Sequence, residues 1–356
     1  NETFGTGAIS SLDNARVAVT GGVQWGGGKG NLSATSYACT GLNGNYTIFS
    51  ASDGGSLLDL STITSIDASR SSYTDLVYRV RAANGGVIDL SGVTNVVGPH
   101  LEPHDRIEFV AETGGMIDLS ALQTASTSGA GEVRFRVLDG GTMLFGELLI
   151  TDALNLSISD IGSKVVVNGG LHLDPTSDLA VTGGATVQVA GHFSHEYTDP
   201  ARLAADEGIF HFHTADDHWL EVAGEDLGVG GSTSGNFGLG RLVVGDDGVE
   251  TTVTLVDLYD NANPGGDEAL YLYGSGGLDG LEILGGSTLI IGDVPVYAWI
   301  DGEVVDLHSL FAPGEMVIAF QDAGGANNGK LAIPEPTTLA LMAASLVGLA
   351  ARRRRT

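Results

Sequence analysis

One unit recurs along the chain from Tyr46 onward: an alternating apolar strand, a Gly-Gly pair, and a second strand that ends in Asp-Leu-Ser. The strong copies carry Gly54-Gly55 with Asp59-Leu60-Ser61, Gly85-Gly86 with Asp89-Leu90-Ser91, and Gly114-Gly115 with Asp118-Leu119-Ser120. Weaker copies follow at 133–144, with Gly140-Gly141, and at 164–173, with Gly169-Gly170. The first glycine of the pair returns after 31, 29, 26 and 29 residues, a period typical of architectures that stack one supersecondary unit on the next. Each copy is too short to bury an apolar face alone, so stacking supplies its core. The glycines fit the corners, where the chain needs φ > 0 or where successive coils come close. In Val87-Ile88-Asp89-Leu90, period-two alternation turns Ile88 and Leu90 inward and Asp89 outward. No segment before residue 337 holds a 3.6-residue apolar period. The expected fold is all-β: a parallel, right-handed β-helix or solenoid with a C-terminal β cap and one short hydrophobic C-terminal helix.

The second half keeps β-prone runs without a fixed period, at 210–213, 219–223, 241–244, 251–256 and 287–291, which read as further coils. At 294–307 a tight Asp301-Gly302 turn predicts a hairpin that would cover the unpaired edge of the last coil. The expected layout is a repeat solenoid over 1–204, its continuation and cap over 205–323, a Gly- and Asn-rich linker over 324–332, and a separate tail over 333–356.

Charge excludes nucleic acid as a partner. The net charge is −28, and Arg352, Arg353, Arg354 and Arg355 are four of only 16 Lys+Arg, which leaves 12 basic residues against 44 acidic ones in the body. Such a body offers no basic patch to replace phosphate counterions. Cys39 is the only cysteine, so no intrachain disulfide supports the fold.

The tail has three ordered parts: Pro334-Glu335-Pro336, an apolar run over 337–351, and the arginines. The prolines cannot continue a helix. The fifteen apolar residues would cover about 22 Å as a helix, short of the about 20 residues a comfortable span needs. Arginines prefer the cytoplasmic side, which places the body outside the inner membrane. This pattern resembles the PEP-CTERM sorting signal of Gram-negative bacteria, with Pro334, Glu335, Pro336, Arg352, Arg353, Arg354 and Arg355 as its signal residues. The resemblance implies an exosortase-type membrane protease as partner and tethering to the inner membrane through 337–351 before processing. Release to the cell surface or extracellular matrix would follow. Export also implies an N-terminal signal ahead of Asn1. In Trp219-Leu220-Glu221-Val222, Asn236-Phe237-Gly238 and Glu268-Ala269-Leu270-Tyr271, the segment 205–311 resembles the β-region that precedes such tails in planctomycete-type surface proteins. That resemblance brings no catalytic residue with it.

Three groups of side chains bear on chemistry. Asp59, Asp89 and Asp118 hold equivalent positions, so stacking would set them about 4.8 Å apart. Each pair then repels by only about 0.8 kcal/mol in water, and a solvated acidic ladder needs no ion. The segment 257–268 gathers hard oxygen donors, and Asp257, Asp260, Asn261, Asn263 and Asp267 are the candidate ligands for Ca²⁺. It lacks EF-hand spacing, and a polar turn built of Asn, Asp, Pro and Gly is the plainer reading. His211, His213, His218, His192 and His195 fall within 27 residues, a possible Zn²⁺ set with no cysteine and no His-Glu-x-x-His helix. No Gly-x-Ser-x-Gly elbow appears, so no residue is assigned to catalysis and no cofactor beyond a Ca²⁺ ion is expected. Trp25, Trp219 and Trp299 could stack on sugar rings. The expected function is that of an exported, non-enzymatic structural or adhesive protein working in an exopolysaccharide matrix. The alternative is a β-helix polysaccharide lyase or glycoside hydrolase.

Overall fold

In the computed structural model, short strands follow one another around three faces, and each pairs in parallel with its counterpart one coil later. The residues described are 8–69, 75–99, 104–127, 129–150, 154–231, 235–259, 261, 268–321 and 329–333. On the first face Tyr46–Ser52, Val77–Ala83, Arg106–Glu112 and Glu132–Leu138 stack in order. On the second, Leu57–Asp59, Val87–Asp89, Met116–Leu119 and Thr142–Phe145 do the same. The third face begins as a four-stranded sheet from Ser36–Ala38 to Thr124–Thr127. It resumes with Leu148–Ile150, Leu171–Leu173, Phe193–His195, Asp217–Glu221 and Thr252–Val256. The described chain is nearly all β, with only short 3₁₀ turns as helix, and its large parallel sheet wraps nearly closed around one apolar core.

That core follows from alternation. Ile88 pairs in register with Leu58 and Ile117, and all three are fully buried. Phe109 sits beside Phe135 with ring centroids 5.0 Å apart, so identical inward positions build aromatic and aliphatic columns through the stack. One apolar cluster runs from Leu12 to Leu331. The strand Leu203–Phe212 crosses from the first face, where it pairs with Asp178–Thr182, to the second, where it pairs with Thr186–Val189.

The Gly-Gly corner divides its labour between two residues. Gly114 has φ +71, and a Cβ placed there would meet nothing nearer than the Gly85 nitrogen at 3.9 Å, so its task is conformational. Gly115 lies over the previous coil, where a Cβ would stand 2.3 Å from the Ala82 carbonyl oxygen. The Asp-Leu-Ser corner works differently. Asp89 and Asp118 each accept the backbone N–H two residues on, from Ser91 and Ser120, at 2.9 Å. Asp59 accepts the Ser61 hydroxyl at 2.6 Å and the Gly28 N–H at 2.5 Å. Burial pushes its carboxyl up, but these donors together outweigh it and hold Asp59 below the usual carboxylate range. The expected aspartate ladder is therefore present and in register, and it serves as a set of Asx turns.

The fifth repeat needs correction. Gly169-Gly170 lies between Lys164–Val167 and Leu171–Leu173, one corner further along the coil than expected. The residue that stacks over Gly140 is Gly162, with φ +88. Coils shorten here because the Asp-Leu-Ser corner is lost. Only Gly146 and Glu147 join Thr142–Phe145 to Leu148–Ile150, whereas residues 90–94 join the corresponding strands two coils earlier.

At the C-terminal end the chain turns antiparallel. Val296–Ile300 pairs with Glu303–Asp306 around Asp301 (φ 53) and Gly302 (φ 87), the two positive φ angles of a tight hairpin turn. A second hairpin pairs Val317–Phe320 with Gly329–Ala332, and the latter continues the third face beside Thr288–Ile290. Gly329–Ala332 of the expected linker is thus a strand. The expected C-terminal helix lies outside the described residues.

Gly115→Ala is expected to lower stability by about 3 kcal/mol through overpacking, and Gly114→Ala by about 1 kcal/mol through its left-handed backbone. Urea unfolding midpoints of the two variants check the difference, and equal losses would contradict the division of labour.

Candidate functional site

Three carboxylates meet where the third face passes into the antiparallel cap. Glu221 closes the strand Asp217–Glu221, in register with Val256 of the next coil. Asp257 follows directly after Thr252–Val256. Glu268 opens Glu268–Leu272, which pairs antiparallel with Gly224–Glu225. One oxygen from each of the three can be chosen so that all lie within 4.8 Å of one another. Among the described residues this is the single such grouping of three His, Cys, Asp or Glu side chains.

Burial makes the arrangement unusual. Glu221 is 3% exposed and Glu268 5%, while Asp257 is exposed. Oε1 of Glu221 accepts the backbone N–H groups of Leu258 and Tyr259, each at 2.9 Å. Its Oε2 is buried and has no hydrogen-bond partner. Removal from water drives the Glu221 carboxyl up to about 9, against the pull of those two N–H donors and with a further push from Asp257 and Glu268.

Beneath the carboxylates lies a polar joint. The Asn261 N–H donates to Glu268 Oε1 at 2.9 Å, and its Nδ2 reaches the His195 carbonyl oxygen and Nδ1, both at 3.1 Å. Asn261 Oδ1 is buried without a hydrogen-bond partner. His195 is packed against Tyr197 and Phe237, at 5.2 and 5.4 Å between ring centroids.

Of the five residues expected as calcium ligands, the structure describes Asp257 and Asn261; Asp260, Asn263 and Asp267 lie outside the described residues. Asp257 joins the cluster, and Asn261 is held to Glu268. Sequence reasoning missed Glu221 and Glu268 as members. Leu220 faces the core, so alternation assigns Glu221 to solvent; it is buried because the chain turns there and residues 257–259 cover it. The five histidines do not form one cluster: His192 lies beside His218 and His211 beside His213, at 6.4 and 5.7 Å between ring centroids, and among the described residues none of them joins a three-ligand group. His192 stacks on Trp219 at 4.6 Å, and His211 is held by Gln188 and the Gly245 carbonyl. Of the tryptophans, Trp299 is exposed.

A second feature lies on the outer side of the first face. Arg79, Arg81, Arg106, Arg134 and Arg136 rise from three adjacent strands. Glu108, 1% exposed, takes Arg79 at 2.8 Å and Arg136 at 3.2 Å. Burial raises its carboxyl, and the two guanidinium groups more than reverse this, so Glu108 stays ionised below the usual range. A cavity of ≈ 340 Å³ beside them is lined by Asn45, Tyr46, Thr47, Val77, Arg79 and Arg106. Arg16 lies over the Tyr46 ring at 5.0 Å, and Arg106 Nε is buried without a hydrogen-bond partner.

Residues 332–355 match the PEP-CTERM protein-sorting motif. The motif implies export and processing by an exosortase. Pro334, Glu335, Pro336 and the four arginines fall within the match and outside the described residues. No curated protein and no solved structure matches the chain.

The pH dependence of the joint follows from His195, which burial holds down to about 3, with His172 adding to the effect. Unfolded, it titrates near its ordinary value of 6.5. Between these values the unfolded chain takes up a proton that the folded one refuses, so stability falls as pH falls, by about 1.4 kcal/mol per unit. His195→Gln is expected to remove about 2 kcal/mol of the stability loss between about pH 7 and about pH 5, measured as the change in urea midpoint with pH.

Proposed function

We propose that this chain is a non-enzymatic structural or adhesive protein of the cell surface or extracellular matrix, delivered through its PEP-CTERM tail. The carrying observation is where the motif begins. Its match starts at Ala332, the last residue of a strand in register with Thr288–Ile290, so the signal follows the stacked body with no intervening domain. In this reading the body winds as a right-handed β-helix, the hand that parallel crossovers adopt in about 98% of cases. It belongs with the planctomycete-type surface β-regions.

The matrix partner in this reading is an acidic exopolysaccharide. Five of the twelve arginine and lysine residues ahead of the tail stand on one outer face, and the cavity there joins Arg79 and Arg106 to the ring of Tyr46. Guanidinium groups pair with carboxylates in a fork geometry, and an aromatic face packs on a sugar ring. Glu108, Glu112 and Glu132 pair with four of these arginines, so the three strands keep only a small excess of positive charge, with Arg106 outside those ion pairs. On a strongly acidic chain that local excess favours an anionic partner.

Two measurements check this. Replacing Pro334 and Pro336 by alanine in the native host is expected to leave the protein in the inner membrane, read by fractionation and mass spectrometry of the C-terminus; unchanged processing would defeat the sorting reading. Arg106→Ala is expected to weaken retention on a uronate-containing polysaccharide about tenfold, a loss of about 1.4 kcal/mol. Release of oligosaccharide products in the same assay would instead establish the enzymatic alternative.

A further inference from the structure

We infer that Glu221, Asp257 and Glu268 form a Ca²⁺ site that ties the antiparallel cap to the last parallel coils. The inference is independent of the matrix partner. Three features support it: the donor set, the spacing and the burial.

All three donors are carboxylate oxygens, with no histidine or thiolate among them. That set suits a hard cation and disfavours Zn²⁺ and copper. The chosen oxygens all lie within 4.8 Å of one another, close enough for one cation with metal–oxygen distances of about 2.4 Å to touch all three, and Ca²⁺ accepts such an irregular carboxylate set more readily than Mg²⁺, which demands a near-ideal octahedron. Three carboxylates supply up to six oxygens, and the exposed side of Asp257 leaves room for water to complete the shell. Burial provides the second, separate argument. A Glu that is 97% removed from solvent, by its 3% exposure, keeps one oxygen on two backbone N–H groups and leaves Oε2 without a donor. An orphaned buried carboxylate oxygen is costly. No arginine, lysine or histidine forms an ion pair with it among the described residues. A divalent cation at the cluster gives that oxygen a partner and favours the ionised form of all three carboxyl groups.

The site adds a tie between parts of the fold that are otherwise joined by a short antiparallel pairing and a few backbone N–H bonds to carboxylates. Glu221 ends one strand of the third face and Asp257 directly follows the next, while Glu268 starts the strand that pairs with Val296–Ile300 of the terminal hairpin. One ion therefore crosslinks two coils to the cap.

The test uses the full-length chain, freed of metal with a chelator and titrated with CaCl₂ by calorimetry, with thermal unfolding in parallel. The chain's 44 acidic residues will hold Ca²⁺ weakly at many places, so the expected signal is one saturable site per chain, with a dissociation constant of about 10⁻⁴–10⁻³ M or tighter, above that background. A rise in Tm of several degrees is expected at saturation. Glu221→Gln should abolish both the site and the Tm rise, while Asp89→Asn, in the aspartate ladder, should leave both intact. Should Glu221→Gln fail to fold, Glu268→Gln and tyrosine-sensitised Tb³⁺ luminescence of the unmodified chain, displaced by Ca²⁺ and not by equal Mg²⁺, report on the same site. Absence of a saturable site in the unmodified chain, or its persistence in folded Glu221→Gln or Glu268→Gln, overturns the inference.

Discussion

Everything in this fold depends on how closely one coil approaches the next. Parallel backbone pairing fixes that distance at about 4.8 Å, and each strand must keep it along its full length. A side chain at the wrong corner would lift the coil above it and break the ladder on every face it meets. Gly115 over Ala82, and likewise Gly86 over Ala51 and Gly141 over Ala111, with Cβ positions 2.2 to 2.5 Å from backbone atoms, show that the constraint acts on backbone contact rather than on side-chain packing. The recurrence of the Gly pair is its imprint on the sequence.

The same spacing brings equivalent side chains into columns. Apolar columns such as Leu58, Ile88 and Ile117 gain from it, since each residue buries its neighbours' flanks. Charged columns gain nothing unless their charge is answered. On the first face Glu108 answers Arg79 below and Arg136 above; at the corners Asp59, Asp89 and Asp118 are each turned into an acceptor for a serine N–H. In the three-carboxylate cluster compensation is incomplete at Glu221, which is buried with one oxygen on two backbone N–H groups and the other without a hydrogen-bond partner. That contrast within one fold makes the cluster stand out more than its acidity does.

Much of this was legible in the sequence, and the limits have physical causes. Alternation located the inward positions of the first coils, and the Asp301-Gly302 turn located the terminal hairpin. Both signals are local. The misplaced fifth repeat shows where locality fails: Gly169-Gly170 resembles the earlier pairs, yet register is set by strand pairing across the coil, which assigned Gly162 to the column. Glu221 was invisible for a related reason. Its burial depends on residues 257–259 folding over it from one coil away, and no pattern within Asp217–Glu221 carries that information. Asp257 could be proposed because the loop that holds it is rich in oxygen donors, while the residues that give it partners lie in other strands.

The junction between body and tail carries the remaining consequence. A flexible spacer was expected over 324–332, but Lys330 and Ala332 bond into the sheet through Ser287 and Ile291, and the Ile333 N–H reaches the Met316 carbonyl at 2.8 Å. The sheet therefore holds the chain up to the first residues of the sorting motif. From Ile333 to Thr337, where the apolar run begins, four residue steps reach at most about 14 Å. In the proposed reading, where that run enters a membrane, the body has no room to stand away from the bilayer and its capped end would lie against the membrane surface. Any protease that acts on the motif must then meet the cap as well as the tail, which makes the order of the last two hairpins, and not the sequence of the motif alone, a determinant of access.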